Sequence, residues 1–201
     1  TYHNLGRVAQ DMHEYEQAQH YYQHALDILI KFGAEFDSAK TYHNLGRVAQ
    51  DMHEYEQAQH YYQHALDILI KFGAEFDSAT TYHQLGRVAQ ELREYEQARN
   101  YYQHALDIYA KFGAEFDSAK TYFYLGIVAE ELGELEEAKA NYLQDLVITA
   151  KFNDEHSLEI VLRNLGRFYK VTQDEDLLVE VAKVFETTVE ELKKIIMDAE
   201  E

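Results

Sequence analysis

The chain has no cysteine, no proline and no tryptophan, only nine glycines in 201 residues, and 18 Lys and Arg against 37 Asp and Glu. Without cysteine there is no disulfide framework and no thiolate metal site, so packing alone must hold the fold. Without proline no helix interior is broken, and no alternating apolar and polar run marks a strand, which leaves an all-α reading. A formal charge of −19 argues against sequence-independent nucleic-acid binding, which needs basic stripes to neutralise phosphate. No apolar run approaches the roughly 18 to 20 residues of a membrane span, and no basic-then-apolar leader stands at Thr1. Neither a transmembrane helix nor a signal peptide is expected, and a cytoplasmic location is the default expectation.

What the chain does have is repetition. Residues 1–39, TYHNLGRVAQDMHEYEQAQHYYQHALDILIKFGAEFDSA, recur letter for letter at 41–79, a period of 40. Residues 81–119 repeat the unit with substitutions such as Gln84 for Asn44 and Leu92 for Met52, while 121–160 and 161–201 keep only its frame. A single repeat domain over 1–201 is expected, with units 1–40, 41–80, 81–120, 121–160 and 161–201. Such repetition argues against an enzyme, because a catalytic constellation needs different residues in different places.

Within a unit, Tyr2, Leu5, Val8, Ala9 and Met12 fall at helical spacing, as do Ala18, Tyr21, Tyr22, Ala25, Leu26, Leu29 and Ile30. Each unit therefore reads as two amphipathic helices. The first is expected from about Asp37, an N-cap type of residue, to about Met52, and the second from about Tyr15 to Phe32, stopped by Gly33. Short links make the helices antiparallel neighbours, and stacked pairs make an α-solenoid. The last unit departs from this pattern. Thr187-Thr188-Val189-Glu190-Glu191 offers overlapping capping boxes, so a capping helix over 189–199 is expected, with one long helix from Asp176 as the alternative.

Leu5-Gly6, Tyr2, Tyr15, Ala18, Tyr22 and Ala25, with Leu45-Gly46, Leu85-Gly86, Leu125-Gly126 and Leu165-Gly166, stand at the spacings of the tetratricopeptide signature. The chain resembles a tetratricopeptide array over its whole length. It has Ile30 where the 34-residue form carries a helix-ending proline, and six extra residues. In this it is similar to the longer repeats of kinesin light chains and of sensor regions in bacterial signalling ATPases. The resemblance implies an all-α, right-handed superhelix of five helix-turn-helix repeats, and a protein-binding concave groove lined by the first helix of each pair.

By that resemblance the groove set is His3, Asn4, Arg7, Gln10 and Asp11, then His43, Asn44, Arg47, Gln50 and Asp51, then His83, Gln84, Arg87, Gln90 and Glu91. Helical geometry independently gathers positions 3, 7, 10 and 11 on one face. A ladder of Arg with amide donors suits carboxylates or peptide backbone. Each Arg could instead pair with the acid at i+4. Asn4 and Asn44 match one position of the carboxylate clamp of heat-shock co-chaperones, but His3 stands at its lysine position. Unit four changes the face to Phe123, Tyr124, Ile127, Glu130 and Glu131, and unit five returns to Arg163, Asn164, Arg167 and Lys170. Exposed aromatics beside a basic end have the composition of a peptide anchor pocket, unless the C-terminal helix covers them.

His20 and His24, like His60 and His64, are i,i+4 pairs able to ligate a metal, but with no third ligand in the pattern they read as surface residues and no metal is expected. No P-loop, dinucleotide glycine pattern, nucleophile elbow or zinc-protease motif is present, and no cofactor is expected. The expected function is a scaffold binding a peptide or protein segment, acidic with an apolar anchor. The alternative is a structural or self-assembling array, natural or engineered, with no dedicated ligand. The first unit lacks a counterpart of Asp37-Ser38-Ala39, so Tyr2, Leu5, Ala9 and Met12 are expected to form an apolar end supporting a weak homodimer through the N-terminal repeat.

Overall fold

The computed structural model describes residues 1–198, with side chains through Lys193. Among the described residues there are eleven helices and no strand: α1 (Tyr2–Asp11), α2 (Tyr15–Lys31), α3 (Glu35–Asp51), α4 (Tyr55–Lys71), α5 (Glu75–Glu91), α6 (Tyr95–Phe112), α7 (Glu115–Glu131), α8 (Leu135–Lys151), α9 (Glu155–Thr172), α10 (Glu175–Val184) and α11 (Val189–Asp198). Contacts divide the chain into two compact units, Thr1–Ile108 and Tyr109–Glu201, with the boundary inside α6. Helices of 17 residues joined by links of three generate the 40-residue period.

The links explain both ends of each helix. After α2, Gly33 takes φ +67°, its amide donates to the Ile30 carbonyl at 3.1 Å, and the Ala34 amide donates to Leu29 at 2.9 Å. This is the Schellman pattern, which satisfies carbonyls that the helix end leaves open. Ala34 is then the N-cap of α3, so one residue closes one helix and opens the next. The helix therefore starts at Glu35 rather than near Asp37, because the Schellman bond delivers the chain directly into the new helix. Ser38 adds a bond from its hydroxyl to the Glu35 carbonyl at 2.6 Å.

The link inside the first three pairs has the same form without glycine, with Gly133 taking the position in the fourth: His13 adopts φ +60°, and the Glu14 amide donates to Ala9 at 2.9 Å. A non-glycine residue in this region gives up roughly 1 kcal/mol, which the two capping bonds offset. The expected C-terminal helix is present as α11. Thr188 Oγ1 accepts from the Glu191 amide at 3.2 Å while Glu191 accepts the Thr188 amide at 3.2 Å, a reciprocal capping box. The single long helix from Asp176 does not form, since α10 ends at Val184. Ala199 and the apolar side expected from Ile195, Ile196 and Met197 lie outside the described residues and side chains.

Cores are built layer by layer. In the first unit Ala9, Ala18, Tyr22 and Leu26 join Leu45 and Val48 of the following pair, and Ala49, Ala58, Tyr62 and Leu66 join Leu85 and Val88 in the same way. The rings of Tyr22, Tyr62, Tyr102 and Tyr142 each lie on a glycine: a Cβ at Gly46 would stand 2.8 Å from the Tyr62 ring. That distance is shorter than two carbons tolerate, so only glycine admits the tyrosine here. In the second unit one cluster takes in Tyr142 and Leu146 of α8, Leu165 and Phe168 of α9, Leu177, Leu178 and Val181 of α10, and Leu192 of α11. Leu192 is buried, so α11 closes this core. Ala9 is buried too, which removes it from the apolar end expected of the first repeat, where Tyr2, Leu5 and Met12 are exposed.

Candidate functional site

In the first unit, the polar residues expected on the first helices divide into those that join one repeat to the next and those left over. Asn44 Nδ2 donates to His3 Nε2 at 3.3 Å, which puts the imidazole proton on Nδ1, 3.3 Å from Thr41 Oγ1. His43 Nδ1 stands 3.2 Å from Thr81 Oγ1 in the next repeat. Burial, with help from the Arg47 charge, pushes His43 down to about 4, so this link is a neutral imidazole at physiological pH. Gln10 is buried: its amide nitrogen donates to Asp51 at 3.0 Å, and its oxygen accepts from the Tyr22 hydroxyl at 3.4 Å. Tyr62 donates to Gln50 at 3.2 Å in the same manner. The tyrosines fill the gap over glycine, and the glutamines keep their hydroxyls satisfied.

The arginines are what remains. Arg7 and Arg47 are exposed, and neither has a hydrogen bond or ion pair among the described residues. The i+4 acid of Arg47, Asp51, is engaged by Gln10 instead. Arg87 is half-buried and donates to Gln84 at 3.2 Å. Asn4 and Asp11 are exposed, and His83 is buried.

The second unit is wired differently. Ile127 stands where Arg87 stood, and Glu130 replaces the glutamine. Glu130 accepts from the Tyr142 hydroxyl and from both Arg167 terminal nitrogens, Nη1 at 3.1 Å. Arg167 is thus held in the α7–α9 junction, and its hydrogen bonds to Glu130 hold its proton more tightly. The Tyr142 hydroxyl is pushed upward by burial and by Glu130. Lys139 and Asp174 pair at 2.7 Å across α8 and α10. Phe123 and Tyr124 are half-buried and meet edge to face at 5.2 Å, and Phe123 packs with Ile127 on the core cluster. The C-terminal helix α11 lies against α10 and α9. Arg163 pairs with Glu159 at 2.9 Å on its own helix, Asn164 is half-buried and Lys170 is exposed.

Two features escaped the sequence reading. The Glu130–Arg167 pair spans 37 positions, and its only sequence signal is a Gln-to-Glu change one repeat before an Arg. Asp145 of α8 is a buried carboxyl where other repeats carry Ala25, Ala65 or Ala105. Burial pushes it up to about 7, while a 3.1 Å bond from the Thr149 hydroxyl pulls the other way. Among the described residues, no group of three or more His, Cys, Asp or Glu could hold a metal ion. No helix among them is long and apolar enough to cross a membrane.

These features describe a tandem helix-pair repeat protein with glycine–tyrosine crossings and a polar ladder between first helices. The tetratricopeptide repeat family matches residues 1–71 and 77–146, and the chain belongs to that family. No curated protein sequence matches it. The fold is shared with many solved structures, three of which illustrate it. Apo RapI has a TM-score of 0.78 at 20% identity, over 99% of this chain and 81% of its own. BtubC from P. vanneervenii has 0.75 at 22% identity, over 96% and 78%. A kinesin-light-chain-type protein of P. anserina with nearly identical TPR-like repeats has 0.73 at 20% identity, over 91% and 92%. Tetratricopeptide arrays are in general non-catalytic protein-interaction scaffolds.

Proposed function

We propose that the chain is a scaffold that binds an acidic peptide or protein segment along the first helices of its N-terminal repeats. The observation that carries this reading is the pair Arg7 and Arg47, exposed and without ion pair or hydrogen bond among the described residues. They recur one repeat apart, while His3, His43 and Gln10 beside them are occupied in joining repeats. An arginine fork free of internal partners offers paired donors to a carboxylate at little reorganisation cost. Asn4, close to Arg7 in sequence and exposed, adds an amide for the peptide backbone. The second unit does not carry this reading, because Glu130 holds Arg167 and Phe123 packs on that unit's own core.

A peptide array probed at low and high salt tests the reading. Capture of acidic segments should weaken as ionic strength rises. Arg7→Glu with Arg47→Glu should turn the preference toward basic segments. Binding indifferent to both changes favours the second reading, a structural array without a dedicated ligand, which the identity of 1–39 with 41–79 supports.

A further inference from the structure

The second helices carry a feature that scaffold binding does not use. His60 and His64 are exposed on α4, one turn apart, with their Nε2 atoms 3.1 Å from each other. His20 and His24 on α2 repeat the arrangement, with ring centroids at 4.5 Å in both pairs. The second ring of each pair is held by a tyrosine of the preceding helix: His24 stacks on Tyr2 at 5.3 Å and His64 on Tyr42 at 5.1 Å. These stacks fix where the imidazole edge points. Two metal–imidazole bonds of about 2.0 to 2.1 Å, set near a right angle, span about 3 Å between nitrogens. Small ring rotations therefore aim both Nε2 atoms at one ion. The ring that now donates must shift its proton from Nε2 to Nδ1, which leaves two lone pairs for the metal and no net change in protons on neutral rings.

We propose that α2 and α4 each carry a two-imidazole site for a late first-row divalent cation, binding Cu2+ ahead of Ni2+ and Zn2+. Water completes the coordination sphere, since no third protein ligand is grouped with the pair among the described residues. The −19 formal charge of the chain raises the local concentration of cations. The bound ion bridges successive turns of one helix. The sequence expected no metal because two ligands leave a sphere incomplete, and an exposed, water-completed site does not need a third. The repeats also supply their own controls, because repeat three has Asn100 before His104, and repeat four has Ala140 and Gln144. His104 stacks on Tyr82 at 5.0 Å like its counterparts, so it lacks only the partner ring.

The test is titration of the full chain with Cu2+, followed by electron paramagnetic resonance and thermal shift. The α-amine is acetylated first, because a free amine two residues before His3 is itself a copper ligand set. Two coppers per chain are expected, each showing two imidazole nitrogens, with a rise in Tm. His24→Ala with His64→Ala should abolish both sites and the rise, while His104→Ala changes neither. Asn100→His should raise the count from two to three, a gain that no loss of folding can mimic. Copper uptake that survives the double variant, or a count that stays at two in Asn100→His, overturns the proposal.

Discussion

Repeats one and two have the same 39 residues in the same order, yet the structure treats them differently. Leu5 is 47% exposed and Leu45 is 0%; Val8 is 51% exposed and Val48 is 0%. Tyr22 and Tyr62, in contrast, are both fully buried, as are Ala18 and Ala58. The two sets separate by where their partners lie. The tyrosines pack within the helix pair, on Gly6 or Gly46, so every copy buries them. Leucine and valine pack on the preceding pair, joining its Ala9, Tyr22 and Leu26. Stability in such an array is a sum of terms inside repeats and terms between neighbours, and here one sequence displays both.

The largest effect should be blind to position. Gly46→Leu and Gly6→Leu both drive a side chain into a tyrosine ring, at 2.8 and 2.7 Å for the first carbon, and each should destabilise its repeat by about 3 kcal/mol or more. Native-state hydrogen exchange of each repeat's own amides is the measurement, because arrays open repeat by repeat. Unequal losses would break the division between inner and neighbour contacts. Next comes the asymmetric pair: Leu45→Ala should destabilise by about 3 kcal/mol and Leu5→Ala by less than about 1 kcal/mol. Equal losses would mean that stacking does not set the burial of these residues.

Two pH effects run in opposite directions. His43 sits at about 4 instead of 6.5. Below pH 6.5 the unfolded chain takes up a proton that the folded chain refuses, so the stability of the first unit should fall as pH drops from about 6.5 to 4. Asp145 sits at about 7 instead of 3.8. As pH rises from about 4 to 7 the unfolded chain releases a proton that the folded chain keeps, so the second unit should lose stability over that rise and level off above it. Urea unfolding across pH, with His43→Phe and with Asp145→Ala, should flatten one slope each. A wild-type second unit most stable at pH 7 would contradict the burial of Asp145. The smallest effect belongs to His20→Ala, which should shift stability by about 0.5 kcal/mol or less in metal-free buffer.

The helix pairs were legible because Leu5, Val8, Ala18, Tyr22 and Ala25 keep one period through several copies. The start of the second helix at Tyr15 was legible, but that of the first helix was misplaced by two residues, because Asp37 is a good N-cap by type while the actual cap, Ala34, is chosen by the backbone bond that closes the helix before it. His13 in the left-handed region carried no signal, since histidine is no turn marker and its geometry follows from capping bonds to Ala9 and Gln10. The candidate face was legible as a set of positions and not as a set of free groups. Whether Arg47 is free or Arg167 is taken depends on partners one repeat away, Gln10 with Asp51 in one case and Glu130 in the other.

The three-residue link also has a genetic reading. Because it closes one helix and opens the next with main-chain bonds alone, a 40-residue block ends where the following block begins, at the level of atoms as well as letters. Excision of residues 41–80 would set Thr81 beside His3 in place of Thr41, Leu85 in place of Leu45 and Gly86 in place of Gly46. Nearly every partner would be replaced by its own copy. Recombination between the identical stretches can therefore shorten or lengthen this molecule by whole turns of its architecture without passing through a misfolded ancestor, and repeat number becomes a trait on which selection can act directly.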